Sequence, residues 1–221
     1  MKAAEYMKEA MNIEDPYNYI VINFASDSIK ADAKIIQASY IHKEELHTHY
    51  VKGGDPGLNY QFTNISTTVY DNECLSPKVI EDDLVDYIQE ENIPYIVYNN
   101  QMWNARLIEN NEWTRLYQMT NRIPCFAISD YEVVRRAFGT TLHDYCVGKP
   151  VPLLAACSDI ARRAKNVPKG NRCTVYANSA RRGIDNNLDG LVTESERLVT
   201  VMNNIMKDIL GNSMNEETYE P

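Results

Sequence analysis

The stretch Tyr19-Ile20-Val21-Ile22-Asn23-Phe24-Ala25-Ser26-Asp27 decides the fold. Most of it is apolar or β-branched, it contains no glycine or proline, and Asn23 is an isolated polar residue. A short apolar run of this kind is typical of a strand that is buried on both faces of a sheet. We therefore predict a central strand over residues 17–24, with the other predicted strands and helices arranged around it.

The segments that follow this strand predict an α/β fold. Two further strands, at 35–42 and 45–51, are joined by a turn at 42–44 and complete a three-strand meander. The remaining predicted elements are a helix at 77–91 with Ser76 as its N-cap, a strand at 93–98, a helix from 103 to 108, a strand at 123–128, and helices at 130–138, 152–165 and 193–210. This order predicts a mixed central sheet flanked by helices. We expect a helical extension over 1–16, one domain over 17–211 and an acidic tail over 212–221.

Composition limits the function classes. The 221-residue chain has a formal net charge of −9, which disfavours extensive non-specific binding to a phosphate backbone. It has five cysteines and no Cys-x-x-Cys pair, so neither a disulfide framework nor a zinc knuckle is indicated. No apolar run approaches the roughly 20 residues of a membrane span, and the N-terminus lacks the apolar stretch of a signal peptide. These features predict a cytoplasmic protein with no membrane partner.

Four segments, in order, resemble the DEDD-type 3′–5′ exonucleases, whose fold is RNase H-like. The first strand is similar to the family strand that carries an Asp-x-Glu pair. Tyr50-Val51-Lys52 resembles the family's YVKP segment, residues 63–66 lie where the family has His-Gly-Ile-Thr, and residues 97–103 resemble its V-x-H-N-A-x-F-D segment. The resemblance extends from about residue 19 to about residue 210 and implies an RNase H-like sheet.

The same resemblance implies that the family's chemistry is lost. Its active members use four carboxylates to hold two Mg²⁺ or Mn²⁺ ions about 4 Å apart. The first two of these positions hold Asn23 and Ala25, and the helix position expected to carry Asp holds Trp103, followed by the equally neutral Asn104. The final motif, His-x-x-x-x-Asp, is best matched by 189–194, with Asp189 in place of His and Glu194 in place of Asp; the other match, 154–159, keeps Asp159.

We therefore expect no catalytic residues. The resemblance implies an inactive exonuclease-like protein that acts as a binding or scaffolding module for a protein partner, with weak nucleic-acid binding at most. The Asn- and Tyr-rich texture and the diverged motifs suggest a phage origin or a role near replication. A second hypothesis is an active, divergent nuclease that binds Mg²⁺ or Mn²⁺ through Asp27, Asp159 or Glu194. A shifted register with Asp27 and Asp32 would rebuild part of such a site.

Residues 185–196 also match the calcium-binding loop of an EF-hand. The predicted ligands are the side chains of Asp185, Asn187, Asp189, Thr193 and Glu196 and the carbonyl of Leu191. This pattern predicts a Ca²⁺ site and gives a third hypothesis, a calcium-stabilised interaction module. The alternative interpretation is a helix start in which Thr193 and Glu196 form a capping box.

Two groups of ring side chains remain. His47 and His49 alternate along the third strand with no third metal ligand nearby in sequence, so we expect surface side chains. Four aromatic residues, Tyr98, Trp103, Trp113 and Tyr117, surround the helix of the expected site. Filling of a former active site by aromatic side chains would suit a scaffold that has turned to binding.

Overall fold

The computed structural model describes residues 3–9, 11–128 and 193–215. Within these ranges the chain forms seven α-helices, five strands and one short 3₁₀ helix. In chain order they are α1 (Ala3–Glu9), β1 (Ile20–Ser26), β2 (Ile35–His42), β3 (Glu45–Tyr50), the 3₁₀ helix (Pro56–Asn59), α2 (Tyr60–Thr63), α3 (Thr67–Glu73), α4 (Pro77–Glu90), β4 (Ile96–Tyr98), α5 (Gln101–Asn110), α6 (Thr114–Thr120), β5 (Cys125–Ala127) and α7 (Glu194–Asn215).

The five strands form one mixed sheet in the order β3-β2-β1-β4-β5. β1 pairs antiparallel with β2 and β2 pairs antiparallel with β3, whereas β1–β4 and β4–β5 are parallel. The predicted α/β class, the mixed sheet and the three-strand meander are therefore confirmed. β1 lies at the centre, and every one of its residues is buried.

Helices cover both faces of β1. Ile20, Ile22 and Phe24 belong to an apolar cluster that also contains core residues of α4, α5 and α6. The alternate residues face α7, because the Tyr19 hydroxyl donates to Asn203 Oδ1 at 3.1 Å and Asn23 bonds to Ser195. The apolar run of β1 therefore has its cause in burial between two helical layers.

A β-bulge interrupts the pairing of β1 with β2. Ala25 lies opposite Gln37, whereas the next residue, Ser26, lies opposite Ile35. The extra residue, Ile36, packs with Ala25, while Ile35 packs into the cluster that contains Phe24. The bulge thus presents two consecutive β2 side chains, Ile36 and Gln37, to the side of Ala25.

Several helices and strands begin or end at residues other than those predicted from the sequence. The helix at 77–91 is confirmed as α4, and Ser76 Oγ caps it by accepting from the Val79 N–H. The strand predicted at 93–98 begins only at Ile96, because Ile93 N donates to the Ile88 carbonyl and so closes the carboxyl-terminal end of α4. The helix predicted from 103 begins at Gln101, where Asn100 caps it. α1 ends at Glu9, inside the helical extension predicted over 1–16, and α7 continues to Asn215, so the tail predicted over 212–221 begins inside a helix.

Four short helices were not predicted from the sequence. The 3₁₀ helix, α2, α3 and α6 are helices of four to seven residues, too short for a 3.6-residue apolar period to show in sequence. The helices predicted at 130–138 and 152–165 lie outside the described residues.

The β2–β3 turn consists of Lys43 and Glu44, both with positive φ, 46° and 75°. Glycine or asparagine usually fills such a two-residue turn, because other side chains are strained there. Both side chains are held by ion pairs: Lys43 with Glu91 at 2.7 Å, and Glu44 with Lys207 of α7. The turn therefore contacts the end of α4 and the last helix at once.

His42 is buried beside this turn and links neighbouring segments through hydrogen bonds. Its Nε2 lies 2.8 Å from Asn18 Oδ1, and its Nδ1 lies 2.9 Å from the Tyr87 hydroxyl. Because the Asn18 oxygen can only accept, Nε2 carries the proton and Nδ1 accepts from Tyr87. Asn18 Nδ2 in turn donates to the carbonyls of Glu91 and Asn92. A neutral imidazole therefore joins β2, the segment before β1 and the end of α4.

We predict that the protein loses stability on mild acidification because of His42. Burial and the neighbouring Lys43 ammonium lower the pKa of His42 below its usual 6.5, and burial also lowers the pKa of His49. The unfolded chain then binds more protons than the folded chain, so the histidine contribution is present above pH 6.5 and is lost as the pH falls through the lowered folded-state pKa. Each such proton adds at most about 1.4 kcal/mol per pH unit.

Urea unfolding between about pH 8 and about pH 5 measures this slope. His42→Gln keeps a donor and an acceptor but cannot titrate in this window, so its free energy of unfolding should depend less on pH. Equal slopes for the wild type and His42→Gln would contradict the prediction.

Candidate functional site

The candidate site lies at the carboxyl-terminal ends of β1 and β4. These strands are parallel neighbours, but the chain leaves β1 for β2 on one side and β4 for β5 on the other. A reversal of this kind opens a crevice at the strand ends, where α/β proteins bind ligands. The residues at this point are polar and uncharged: Asn23, Asn99, Asn100, Asn104 and Ser195.

Asn23 connects the central strand to the last helix. Its Nδ2 donates to Ser195 Oγ at 2.8 Å, and Ser195 Oγ donates to the backbone carbonyl of Asn23 at 3.4 Å. Both side chains are buried, with 5% and 1% exposure. This reciprocal pair satisfies buried polar groups without a charge or a metal ion.

A second amide network connects α5 to β1. Asn100 Oδ1 caps α5 by accepting from Trp103 N at 3.0 Å. Asn104 Nδ2 donates to the Asn100 carbonyl at 2.7 Å, and Asn104 Oδ1 accepts from Phe24 N at 3.4 Å. Asn104, buried at 1% exposure, is therefore the α5 residue that faces the central strand.

The two helix positions predicted from the family motifs each differ by one residue from those that face β1. Trp103 is half-buried and has the Arg106 guanidinium 5.9 Å above its ring, so Asn104 and not Trp103 occupies the site. Glu194 is half-buried and pairs with Arg197 at 3.5 Å, whereas the next residue, Ser195, meets Asn23. One residue turns a helical side chain by about 100°, so a one-residue error in a motif match selects the wrong face.

Ala25 lies in a filled apolar environment. It packs with Ile36, Ile65 and Tyr70, and Tyr70 is fixed by donating its hydroxyl to the Val51 carbonyl at 2.5 Å. Gln37 lies opposite Ala25 and is fully buried, and neither amide atom of its side chain has a hydrogen-bond partner in the described ranges. Sequence reasoning missed Gln37, because only the bulge in β2 reveals which face it occupies.

The described residues do not fit a two-metal centre. Hard divalent ions need several anionic oxygens, and nowhere in ranges 3–9, 11–128 and 193–215 do three His, Cys, Asp or Glu side chains converge. Asp27 instead accepts from Lys34 N at 2.9 Å and Asp55 N at 3.4 Å, which ties two loops together. Asp32 is exposed, and Asp159 lies outside the described residues.

The start of α7 is a capping box. Glu196 N donates to Thr193 Oγ1 at 3.3 Å, and the Glu196 carboxylate accepts from Thr193 N at 2.8 Å. This reciprocal geometry confirms the helix-start interpretation. The other predicted calcium ligands, Asp185, Asn187, Asp189 and Leu191, lie outside the described residues, so the calcium loop stays a prediction.

The ring side chains do not gather at this site. His47 and His49 are half-buried on β3 and stack on Tyr40, with ring centroids 4.7 and 6.0 Å away. Tyr98 and Trp113 are core residues, and Trp113 meets Phe24 edge-on at 5.2 Å. Tyr117, at 42% exposure, faces outwards. The predicted aromatic filling is therefore the ordinary core beneath β1.

Two surface cavities lie away from this site. One, of about 320 Å³, is bordered by α4 and α6 and includes Val85, Met119 and Arg122 in its lining. The other, of about 220 Å³, lies beside the β2–β3 turn and includes Tyr17 and Lys207. Neither is lined by the amide residues described above.

Comparison with known proteins adds no assignment. No protein-family model and no curated protein sequence matches this chain. Among the described helices, none is long and apolar enough to cross a membrane. The chemistry of the residues around β1 is therefore the basis for assigning a function.

We predict that Thr193→Ala lowers the free energy of unfolding by about 1 kcal/mol, since it removes the N-cap acceptor of α7. Chemical denaturation measures the change. Thr200→Ala is the matched control, because Thr200 lies within the same helix and only bonds back to the Glu196 carbonyl. Equal losses for the two variants would show that the cap contributes nothing.

We predict that Ca²⁺ raises the melting temperature if the 185–196 loop binds it. Binding to the folded state alone adds about 2.7 kcal/mol at a hundredfold excess over Kd. Asp185→Ala should abolish the shift, and Mg²⁺ should not reproduce it. A wild-type melting temperature that is unchanged between EDTA and millimolar Ca²⁺ would eliminate the calcium loop.

Proposed function

We propose that this chain is a catalytically inactive exonuclease-like protein with an RNase H-like fold that serves as a binding or scaffolding module. One observation carries the proposal. The resemblance expects metal-binding carboxylates at Asn23, Ala25, Trp103 and Glu194, whereas the side chains that face one another around β1 are the neutral Asn23, Ala25, Asn104 and Ser195. Asn23, Asn104 and Ser195 are buried, and each forms a hydrogen bond to a residue on a different helix or strand.

The sheet supports this fold assignment. An antiparallel meander lies on one side of β1 and two parallel strands lie on the other. α5 and α7 approach β1 where the resemblance expects the helices that carry the third and fourth acidic residues. This strand order and these helix positions support an RNase H-like fold.

The neutral side chains of this site form hydrogen bonds without the help of bound cations. Four carboxylates at these positions would repel one another without bound cations. Asparagine keeps the size of aspartate but gains N–H donors, so Asn23 and Asn104 bond to Ser195 and Asn100 directly. The cluster that would bind metal in an active relative serves in this proposal to hold α5 and α7 on the sheet.

Exposed apolar side chains near the same strand ends support a protein partner. Asn59 Nδ2 donates to the Ser26 carbonyl at 2.9 Å, which brings Leu58 and Tyr60 to the end of β1. Met102 lies in the first turn of α5, directly after β4. Leu58, Tyr60 and Met102 are 70%, 52% and 85% exposed. Exposed apolar side chains at these strand ends favour an interaction surface, and the net charge of −9 favours a protein over a phosphate backbone.

The proposal predicts that the wild type neither shortens 3′-labelled single-stranded or duplex DNA nor melts at a higher temperature with Mn²⁺ or Mg²⁺. The combined variant Asn23→Asp, Ala25→Glu, Asn104→Asp, Ser195→Asp should gain a Mn²⁺-dependent rise in melting temperature, because it supplies the missing anionic oxygens. A charge-matched control places four acids at exposed positions: Asn72→Asp, Gln89→Glu, Gln118→Glu and Asn121→Asp. The control should show no such rise.

Two outcomes would reject the proposal. Mn²⁺-dependent cleavage by the wild type that disappears with Glu194→Gln or Asp159→Asn would establish the divergent nuclease instead. A combined variant that folds, as judged by circular dichroism, yet responds to Mn²⁺ no more than the control would show that these four positions do not form the family's metal site.

A further inference from the structure

The outer edge of β3 carries backbone groups that point away from the sheet. Leu75 N donates to the Tyr50 carbonyl at 2.9 Å and Lys52 N donates to the Leu75 carbonyl at 2.8 Å, so residue 50 faces outwards. Val51 N donates to the Ile36 carbonyl of β2, so the residue between them faces inwards. Because this orientation alternates along a strand, Leu46 and Thr48 also direct their N–H and C=O groups outwards.

The N–H and C=O groups of Leu46 and Thr48 are four open backbone groups among the described residues. Within the described part of the chain, no hydrogen bond reaches the outward N–H and C=O groups of Leu46 and Thr48. β3 also contains no lysine or proline, the residues that most often protect an edge strand. The opposite edge strand, β5, has only three residues and follows Pro124. An unprotected edge of this kind is a template for pairing with another strand.

We propose that β3 pairs with β3 of a second copy of this chain, antiparallel and with His47 on the two-fold axis. In this register Leu46 of each copy exchanges two hydrogen bonds with Thr48 of the other. The four resulting bonds occupy the outward N–H and C=O groups of Leu46 and Thr48 in both copies. The two five-stranded sheets become one continuous sheet.

The open stretch has the length that this register needs. It is limited at one end by the Lys43–Glu44 turn and at the other by the Leu75 bridge to Tyr50. A two-fold axis through His47 covers residues 45–49 and stops before Tyr50. The turn directs the chain back towards β2 and so ends the open stretch of this edge.

The side chains of this stretch are complementary across the axis. Glu45 lies opposite His49 of the second copy, so a carboxylate faces an imidazole twice in each dimer. Both side chains project from the same face of β3, where Glu45 Oε2 lies 3.8 Å from its own His47 Nε2 and His49 stacks on Tyr40. Opposite-charge and hydrogen-bonding pairs between strands stabilise pairing, and like charges oppose it.

Four backbone hydrogen bonds and a few side chains make a small interface. Such contacts fall below the area of stable complexes and give weak, reversible association. We expect a dimer with a dissociation constant in the micromolar to millimolar range.

Sedimentation equilibrium of the full chain, from micromolar to near-millimolar concentration, tests the proposal. Thr48→Pro removes the outward N–H but leaves the β2–β3 hydrogen bonds intact, so it should weaken association at least tenfold, by about 1.4 kcal/mol. Thr48→Val is the matched control, because it keeps the N–H and the side-chain shape, and its dissociation constant should match that of the wild type.

A charge exchange tests the register and does not depend on a proline. Glu45→Lys alone places an ammonium group opposite the His49 imidazole, and His49→Glu alone places two carboxylates opposite each other. Each variant should weaken association by about three- to tenfold. The double variant restores opposite charges between copies and should recover the wild-type dissociation constant to within about twofold. Within one chain these residues are four apart on an extended strand, roughly 13 Å, so they cannot compensate each other there.

Three results would overturn the proposal: a wild type that is monomeric at every concentration, a dimer that Thr48→Pro does not weaken while circular dichroism shows it folded, or a double variant as weak as its worse parent. If Thr48→Pro does not fold, the charge exchange decides alone.

Discussion

The burial of β1 on both faces is the constraint on which the rest of this structure depends. A strand with no exposed residue must be covered by two layers of secondary structure. Ile20, Ile22 and Phe24 are covered by α4, α5 and α6, and the opposite face is covered in part by α7, whose Ser195 contacts Asn23 across 172 residues of sequence. The strand order and the placement of the polar residues at the end of β1 follow from this arrangement.

The polar side chains at that end of β1 are held by hydrogen bonds between different elements. Asn23, Asn104 and Ser195 are each buried and bonded to a backbone group or to another side chain on a different element. Buried polar groups that are satisfied specify a unique arrangement, whereas unsatisfied ones cost about 1–3 kcal/mol each. Neutral amides can satisfy one another in this way, and isolated carboxylates cannot.

Sequence reasoning recovered what has a regular period and missed what depends on packing. The apolar run of β1 and the 3.6-residue pattern of α4 are long enough to identify, and Ser76 and Thr193 are recognisable caps. α6 is too short for periodicity to reveal, and the bulge that turns Gln37 towards Ala25 leaves no trace in a single sequence. The motif matches were placed on Trp103 and Glu194, one residue before Asn104 and Ser195, because the exact phase of a helix is set by where its cap lies and by which face packs.

The long separation between β1 and α7 has a consequence for synthesis. Ribosomes add about 5–20 residues per second, so on the order of ten to thirty seconds pass between the emergence of β1 and that of the helix that covers its second face. Closing a loop of this length also costs entropy before its contacts form. During this interval Val21 and Ile41, which are fully or almost fully buried in the folded protein, lie on an uncovered sheet face. This uncovered apolar face is therefore the part of the nascent chain most exposed to aggregation.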